Sequence, residues 1–482
     1  MIRKTTTTRR ICLLLMGLLA HTFSAFSSSG CRLEIQLENY KMKQLYFARY
    51  LGGEFHYMDT IQRNEDGLFI KRDTQPLEAG IYTVVLKPKR NAIQVLVDHN
   101  NQHWQLMAHA DSIRADKIQF EGSALNTAFY DYLVNLSDKR KAINELYTKL
   151  AQSEGKVKKK LQKYIDKKQK ELRSYQQSVA AKHPGTWLEL SAWTDLEKPM
   201  PKFKGTDEET NLLRYEFRRS HFFDEMKLSD PRHVHNPRYF NKINFYVSRL
   251  VPQHRDSVGP NIEKLLQVLE NTNTKLFQST LDYFIRLYEK PRIVGMDAVY
   301  VYLANRYHNQ GKTSWLDEKR LKAIQKNVRT FERILIGKTA PDIKVQKRSG
   351  EAISLYDIQS DFTILFFWRP GCGHCKKAAP KLKALYEKYQ GQSVEILSVC
   401  THLGAKVGEC WTYIDENELD LWVNAVDPRH QSKFLRLYNA QRTPKIYVLD
   451  KEKKILIKDI AANQLDQLME RFMKESASAS KS

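Results

Sequence analysis

Two cysteines separated by two residues, Cys372 and Cys375, are the residues of this 482-residue chain whose type and spacing most directly suggest chemistry. They follow an apolar run at 362–368 and precede a helix-like segment at 376–389. The pair is therefore predicted to lie where a strand turns into a helix. Unpaired N–H groups and the macrodipole at a helix start favour an anion such as a thiolate. We therefore predict a lowered pKa for Cys372, which makes it the attacking sulfur, and we expect Cys375 to close the disulfide ring.

The N-terminus has the pattern of a secretory signal, which we assign to residues 1–27. A positively charged start precedes the apolar run 11–20, and the small residues of 24–30 offer cleavage sites. Ten apolar residues are too few to cross a bilayer, and no other run approaches 18, so the mature chain is predicted to have no transmembrane helix. In an exported protein, the clustering of four cysteines between 372 and 410 indicates redox chemistry rather than a cross-linked scaffold.

Cys31 lies just after the predicted cleavage region and has two interpretations. The segment Ser28-Ser29-Gly30-Cys31 loosely resembles a bacterial lipoprotein cleavage box, which would make Cys31 a lipid attachment site. The preceding apolar run, however, ends well before the cysteine. The alternative, which we favour, is that Cys31 begins the first strand.

Cys400 and Cys410 form a second pair in the same part of the chain. They could form a structural disulfide, pass electrons to the first pair, or remain buried thiols, because spacing alone does not fix bridge geometry. No metal site is predicted. His221, His233 and His235 have no further ligands at metal spacing, and the proline-flanked stretch that holds the last two indicates a polar loop.

The chain is strongly basic, with a formal net charge of +23. Residues 138–182 contribute much of this excess, with 14 Lys or Arg against 5 Asp or Glu. These charges alternate with helix-forming residues, which is typical of a solvated helical face. No nucleic-acid-binding motif accompanies them, so nucleic acid is not an expected partner.

The hydrophobic periodicity divides the mature chain into three parts and a tail. Residues 28–125 alternate with the period of strands and predict an antiparallel, β-sandwich-like domain. Residues 126–335 have helical spacing and predict an all-α domain. Residues 336–474 run in βαβ and then ββα order, which predicts a mixed α/β domain. The Ser/Ala/Lys tail, 475–482, is predicted to be disordered.

The last part resembles the thioredoxin superfamily, in its exported TlpA-like branch. Five features carry the resemblance: Trp368 before the first cysteine, Cys372-Gly373-His374-Cys375, Pro380 in the following helix, Arg442-Thr443-Pro444 before a strand, and Ala340-Pro341-Asp342 at the start of the domain. A peroxiredoxin would instead need Thr or Ser three residues before its cysteine, where Arg369 stands. The preceding parts resemble β and helical domains of unknown function that are common in Gram-negative envelope proteins.

The resemblance implies a role for each matching residue. Cys372 would be the nucleophile and Cys375 the resolving cysteine. Thr443 would present backbone groups to a bound partner beside a cis Pro444. The residues Gly373, His374 and Trp368 would tune the redox properties of the pair.

Two departures from the family pattern stand out. Phe366 occupies the position at which thioredoxins carry a buried carboxylate, so proton transfer from Cys375 must use water or another group. His374 can stabilise the reduced form and make the disulfide more oxidising. The direction of electron flow (reductase, isomerase or oxidase) therefore stays open.

The resemblance implies a thiol–disulfide oxidoreductase of the periplasm or cell envelope of a Gram-negative bacterium. Its expected partners are cysteine-containing envelope proteins and a membrane or periplasmic electron donor or acceptor, and no cofactor is expected. The alternative is a non-enzymatic envelope binding or scaffold protein with an inert cysteine pair. Reduction potential and turnover measurements distinguish the two.

Overall fold

The computed structural model describes residues 30–87, 91–392 and 394–479, so the predicted signal segment lies outside the described residues. The strands are β1 (Cys31–Glu38), β2 (Gln44–Leu51), β3 (Glu54–Gln62), β4 (Phe69–Asp73), β5 (Gly80–Leu86), β6 (Asn91–Val97), β7 (His103–His109), β8 (Gln119–Glu121), β9 (Lys344–Gln346), β10 (Ala352–Ser354), β11 (Phe362–Trp368), β12 (Val394–Cys400), β13 (Val423–Val426), β14 (Lys445–Asp450) and β15 (Ile455–Lys458). The helices are α1 (Ala124–Ala151), α2 (Gly155–Lys182), α3 (Trp187–Thr194), α4 (Asp207–Ser220), α5 (Pro237–Phe245), α6 (Arg255–Thr272), α7 (Thr274–Glu289), α8 (Asp297–Leu303), α9 (Glu318–Phe331), α10 (Gly373–Tyr389), α11 (Val407–Glu416), α12 (Phe434–Leu437) and α13 (Leu465–Ala479).

The predicted fold class, a β-rich N-terminal part, a helical middle and a C-terminal thioredoxin-like fold, is confirmed. Two four-stranded sheets, ordered β4-β1-β7-β8 and β3-β2-β5-β6, form the N-terminal part. Alternating side chains of β1, Leu33, Ile35 and Leu37, are buried, as the period of a strand requires. The sheets are not wholly antiparallel, because β1 pairs with β7 in parallel. A sequence pattern of period two does not encode strand direction.

The hydrophobic cores do not divide the chain at residue 126, where the periodicity changes. Helices α1 and α3 share one core with the two sheets, through side chains such as Phe129 and Leu188. The amide of Asn126 joins the layers, since it accepts from the Leu96 N–H at 2.7 Å and donates to the Leu96 carbonyl at 2.9 Å. A separate core packs α5 to α9. The helical block predicted as one domain thus contributes to two cores.

The C-terminal part contains a seven-stranded sheet in the order β10-β9-β13-β12-β11-β14-β15. The interior strand β11 has the predicted bounds and is buried along its whole length. It runs parallel to β12 and antiparallel to β14, and hydrophobic cores cover both faces of the sheet. Helix α13 continues to Ala479, so the predicted disorder from 475 is wrong for residues 475–479. Within the described residues, every helix is too short or too polar to cross a membrane.

His233 and His308 are buried in the helical part, and each residue is 1 % exposed. His233 lies in a 3-10 helix, Pro231–His235, so the prediction of a polar loop there is wrong at this position. Burial disfavours the charged imidazolium and lowers the pKa of His233 and of His308 to about 4 each. Both side chains are therefore neutral in the folded protein at neutral pH.

We expect the free energy of unfolding to fall as the pH drops from about 7.5 to about 5.5. The unfolded chain binds protons on both histidines below its pKa of 6.5, whereas the folded chain does not until about pH 4. The contribution of these histidines to the free energy of unfolding is therefore complete above the histidine pKa of the unfolded chain and falls below it. At pH ~5.5 the loss is about 3 kcal/mol for the two groups together. Urea unfolding at a series of pH values measures this loss. The variant His308→Leu should lose only about half as much, and an equal loss in both proteins would contradict the assignment.

Candidate active site

A strand, a tight turn and a helix start position the first cysteine. Strand β11 ends at Trp368, and Gly371 takes a positive φ of 75°, a conformation that glycine adopts without strain. Cys372 is the N-cap residue of α10, where its backbone N–H donates to the carbonyl of Arg369 at 3.4 Å. The cysteine pair therefore lies where a strand turns into a helix, as predicted.

Cys372 and Cys375 form a disulfide whose two sulfurs differ in accessibility. Cys375 is 2 % exposed, whereas Cys372 is only partly buried. The backbone N–H of Cys375 donates to Sγ of Cys372 at 3.2 Å. The same N–H would stabilise a thiolate on Cys372 after reduction, because a charged acceptor strengthens the hydrogen bond. Partner access and thiolate stabilisation therefore both favour Cys372 over Cys375.

The loop before β14 lies directly beside the accessible sulfur. The carbonyl oxygen of Thr443 is 3.4 Å from Sγ of Cys372, and the Thr443–Pro444 peptide bond is cis. The Thr443 hydroxyl is buried and has no hydrogen-bond partner among the described residues. The backbone of Thr443 is therefore the part of this loop that directly adjoins the reacting sulfur.

Trp368 and Phe366 form the apolar floor beneath the pair. The indole N–H of Trp368 donates to Oγ of Ser398 at 2.7 Å, and its ring stacks on Phe366 with centroids 6.4 Å apart. Phe366 is 2 % exposed. Among the described residues, no carboxylate hydrogen-bonds to either sulfur of the disulfide. Water or another carboxylate remains our expectation for the proton acceptor of Cys375.

The two residues between the cysteines face solvent. Gly373 and His374 are exposed in the first turn of α10, and a Cβ at Gly373 would meet no atom within 4 Å. The His374 imidazole forms no ion pair with the part of the chain that the structure describes. It is therefore free to interact with a partner or with the thiolate, and its role in tuning the pair stays a prediction.

Cys400 and Cys410 form a second disulfide, which joins the end of β12 to α11. Both are fully buried, and Cys400 lies opposite Trp368 in the pairing of β11 with β12. A protein thiol cannot reach sulfurs with no exposed surface. Of the alternatives that the sequence left open, this geometry favours the structural disulfide.

His402, which was not among the residues predicted from the sequence, lies beside this disulfide. A nitrogen of His402 and the sulfurs of Cys400 and Cys410 lie within 4.8 Å of one another, and His402 Nδ1 is 3.3 Å from a carboxylate oxygen of Glu409. The signal was present as the Cys400-x-His402 spacing. In the disulfide form neither sulfur is a thiolate, so this cluster does not provide the ligands that a metal ion needs.

Removing the second disulfide should lower stability and leave exchange at the first pair intact. The bridge closes a short loop, with a sequence separation of 10, and so restricts the unfolded chain. We expect Cys400→Ala/Cys410→Ala to lose about 2–3 kcal/mol. Chemical denaturation measures the loss, and insulin reduction measures the activity. An unchanged denaturation midpoint would contradict the structural role, whereas loss of activity in a folded variant would favour electron transfer between the pairs.

Cys31 is the first residue of β1, and its thiol is buried. Sγ lies 3.9 Å from a carboxylate oxygen of Asp73, and burial raises the pKa of this thiol. A buried thiol within a strand supports the interpretation that Cys31 begins the first strand. Lipidation would require this strand position to be exposed.

The C-terminal part is similar to known redox proteins in sequence. A sequence model of the AhpC/TSA family matches residues 336–457. The thiol-disulfide oxidoreductase ResA of Geobacillus thermodenitrificans is 30% identical over 124 residues, which cover 25% of this chain and 67% of that protein. ResA of Bacillus thuringiensis subsp. konkukian is 27% identical over 154 residues, covering 30% of this chain and 80% of that protein.

Solved structures also align with parts of this chain. A thioredoxin-like protein from Bacteroides caccae aligns with a TM-score of 0.47 and 21% identity, covering 57% of this chain and 96% of that one. A domain of a possible thiol-disulfide isomerase from Cytophaga hutchinsonii aligns with a TM-score of 0.28 and 31% identity, covering 30% and 97% of the two chains.

Proposed function

Because the chain belongs to the thioredoxin superfamily, as a TlpA-like thiol–disulfide oxidoreductase with additional N-terminal domains, we propose that it exchanges disulfides with cysteines of cell-envelope proteins. The reacting group is the motif Cys372-Gly373-His374-Cys375. One observation carries the proposal: the accessible Sγ of Cys372 lies between the N–H of Cys375 and the carbonyl of Thr443. A nucleophile, an anion-stabilising donor and a partner-docking backbone thus meet at one atom.

The exchange has two steps that balance in electrons. The Cys372 thiolate attacks one sulfur of a partner disulfide, which forms a mixed disulfide and releases one partner thiolate. The Cys375 thiolate then attacks Sγ of Cys372, which releases the second partner thiolate and forms the Cys372–Cys375 disulfide. Two electrons have passed to the partner. An external dithiol of the membrane or periplasm restores the reduced pair, and the reverse sequence oxidises a partner dithiol.

The predicted signal segment and the clustering of cysteines support a periplasmic or envelope location. In that compartment the direction of transfer depends on the reduction potential of the pair. His374 beside the thiolate favours the reduced form and therefore a more oxidising disulfide.

The deciding experiment combines a measurement of the reduction potential with assays of disulfide-exchange turnover. The reduction potential of the Cys372–Cys375 pair is measured against glutathione, and the full chain is assayed with insulin and with a scrambled disulfide substrate. Turnover that depends on Cys372 is the expected result. A folded chain that has no turnover in either assay would favour the non-enzymatic envelope scaffold. Trapping with Cys375→Ala in the native envelope then identifies the partners.

A further inference from the structure

The redox disulfide lies between two segments of the chain that are rich in Lys and Arg. The two segments that build the site, residues 362–386 and 428–449, each contain five Lys or Arg and no Asp or Glu. The exposed cations nearest the disulfide in sequence form what we call the basic rim: Arg369, Lys376, Lys377 and Arg442, with His374 between the cysteines.

Backbone contacts place the rim around the reacting sulfur. The carbonyl of Arg369 accepts the N–H of Cys372 at 3.4 Å, and Lys376 donates its own N–H to the carbonyl of Cys372 at 3.0 Å. Arg442 directly precedes Thr443, whose carbonyl oxygen is 3.4 Å from Sγ. The backbones of Arg369, Lys376 and Arg442 therefore lie close to Cys372, in the turn, in the helix and in the loop before β14.

The rim cations have no acidic partners, unlike other cations of the same domain. Lys383 pairs with Glu418, and Lys388 pairs with Asp466. In residues 30–87, 91–392 and 394–479, no ion pair involves a rim side chain. The rim therefore keeps its full charge toward a partner.

Local stability does not explain this arrangement. The first turn of α10 carries Lys376 and no acidic residue, and Lys377 follows it. Cations at a helix N-terminus oppose the macrodipole, which favours acidic residues there. Departures from such local preferences are expected at functional sites.

We propose that the basic rim selects partner segments in which acidic residues flank the reacting cysteine. This inference rests on the proposed function and names the substrate class of the same site. Opposite charges raise the rate of encounter and like charges suppress it, so the rim distinguishes partners at the association step. A peptide with Asp or Glu beside its cysteine matches the rim, and a peptide with Lys or Arg there is repelled.

Two peptides that differ only in the residues flanking one cysteine, Asp or Lys, test the proposal. Each cysteine is joined by a disulfide to uncharged 2-mercaptoethanol, and stopped-flow fluorescence follows its reaction with the reduced full chain. Flanking charges also change the intrinsic reactivity of the peptide. Each rate is therefore divided by the rate at which free 2-mercaptoethanol reacts with the same peptide. We expect the acidic peptide to react about tenfold faster at low salt, with the preference falling toward one at about 0.5 M salt because exposed charges are screened.

The double variant Lys377→Glu/Arg442→Glu should reverse the preference. Lys451→Glu/Lys454→Glu is the matched control, because it makes the same change of net charge at the other end of the sheet. There Asp450 pairs with Phe362, whereas Lys445 pairs with Phe367 next to the site. Circular dichroism checks whether both variants are folded. If one is not, the salt dependence of the unmodified chain still tests the proposal.

Equal normalised rates for the two peptides, or a preference that salt does not change, would overturn the inference. So would a reversal in the control variant. Uncharged bis(2-hydroxyethyl) disulfide separates this failure from that of the proposed function. If the reduced chain reacts with it but does not distinguish the peptides, only the selection of acidic partners is wrong. If the chain does not react with it, the proposed function fails and this inference fails with it.

Discussion

Replacing Cys372 by Ser is expected to lower insulin turnover by about 10³-fold or more, because the attacking thiolate is lost and a serine hydroxyl stays protonated at neutral pH. Replacing Cys375 by Ala should stop turnover at a different step. The first attack by Cys372 remains possible in that variant, but no thiolate is left to release the partner. A mixed disulfide on Sγ of Cys372 should therefore accumulate in the Cys375→Ala protein, and no such adduct should form in the Cys372→Ser protein.

The difference in burial is the reason for expecting such an asymmetry. Sγ of Cys375 belongs to a residue that is 2 % exposed, so a protein partner reaches Cys372 first. Intact-protein mass spectrometry after reaction with a disulfide-bonded peptide measures the adduct. Cys400→Ala/Cys410→Ala is the control that keeps both reactive cysteines. An adduct on Cys372→Ser, or full turnover by Cys375→Ala, would contradict the assigned roles.

Much of the active site could be predicted because its signals are local in sequence. The apolar run 362–368 gave the bounds of β11, and the cysteine spacing at its end placed the pair at the start of α10. The Thr443–Pro444 segment is 71 residues from Cys372, and only the resemblance to thioredoxins related the two. Spacing alone contains no information on that contact.

Features that depend on long-range packing could not be predicted. Helices α1 and α3 share one core with the N-terminal sheets because their apolar faces pack against those sheets. Helical periodicity predicts that a helix has an apolar face, but it does not specify what that face packs against. The parallel pairing of β1 with β7 has the same origin. Burial of the Cys400–Cys410 disulfide, which favours its structural role, is likewise a property of the assembled fold.

The contact between the helical part and the thioredoxin-like part is a further long-range feature. Lys458 of β15 forms a buried ion pair with Asp297 at the start of α8, 161 residues away in sequence. The Lys458 side chain is 2 % exposed and that of Asp297 is 12 % exposed. Neither charged residue has a local pattern that marks it as buried.

Asp297→Ala is therefore expected to destabilise the folded chain by about 3–5 kcal/mol, because it leaves the Lys458 ammonium buried without its partner. Denaturant unfolding of the full chain measures the loss. Hydrogen exchange should show the change at β15 and α8. Disulfide exchange at Cys372 should persist in the folded variant, because β14 separates β15 from β11 in the sheet.

Two further variants establish that burial, and not the charge pair itself, sets the size of this effect. Glu318→Ala removes the partner of Lys322 from a pair whose side chains are 79% and 71% exposed, and should cost less than about 1 kcal/mol. Asp297→Leu/Lys458→Met removes both charges and should recover most of the stability that Asp297→Ala loses, since no unpaired charge then remains buried. A loss in Asp297→Ala no larger than in Glu318→Ala would contradict the role of burial. A double variant no more stable than Asp297→Ala would show that the loss comes from packing around α8, because removing the unpaired ammonium would then have made no difference.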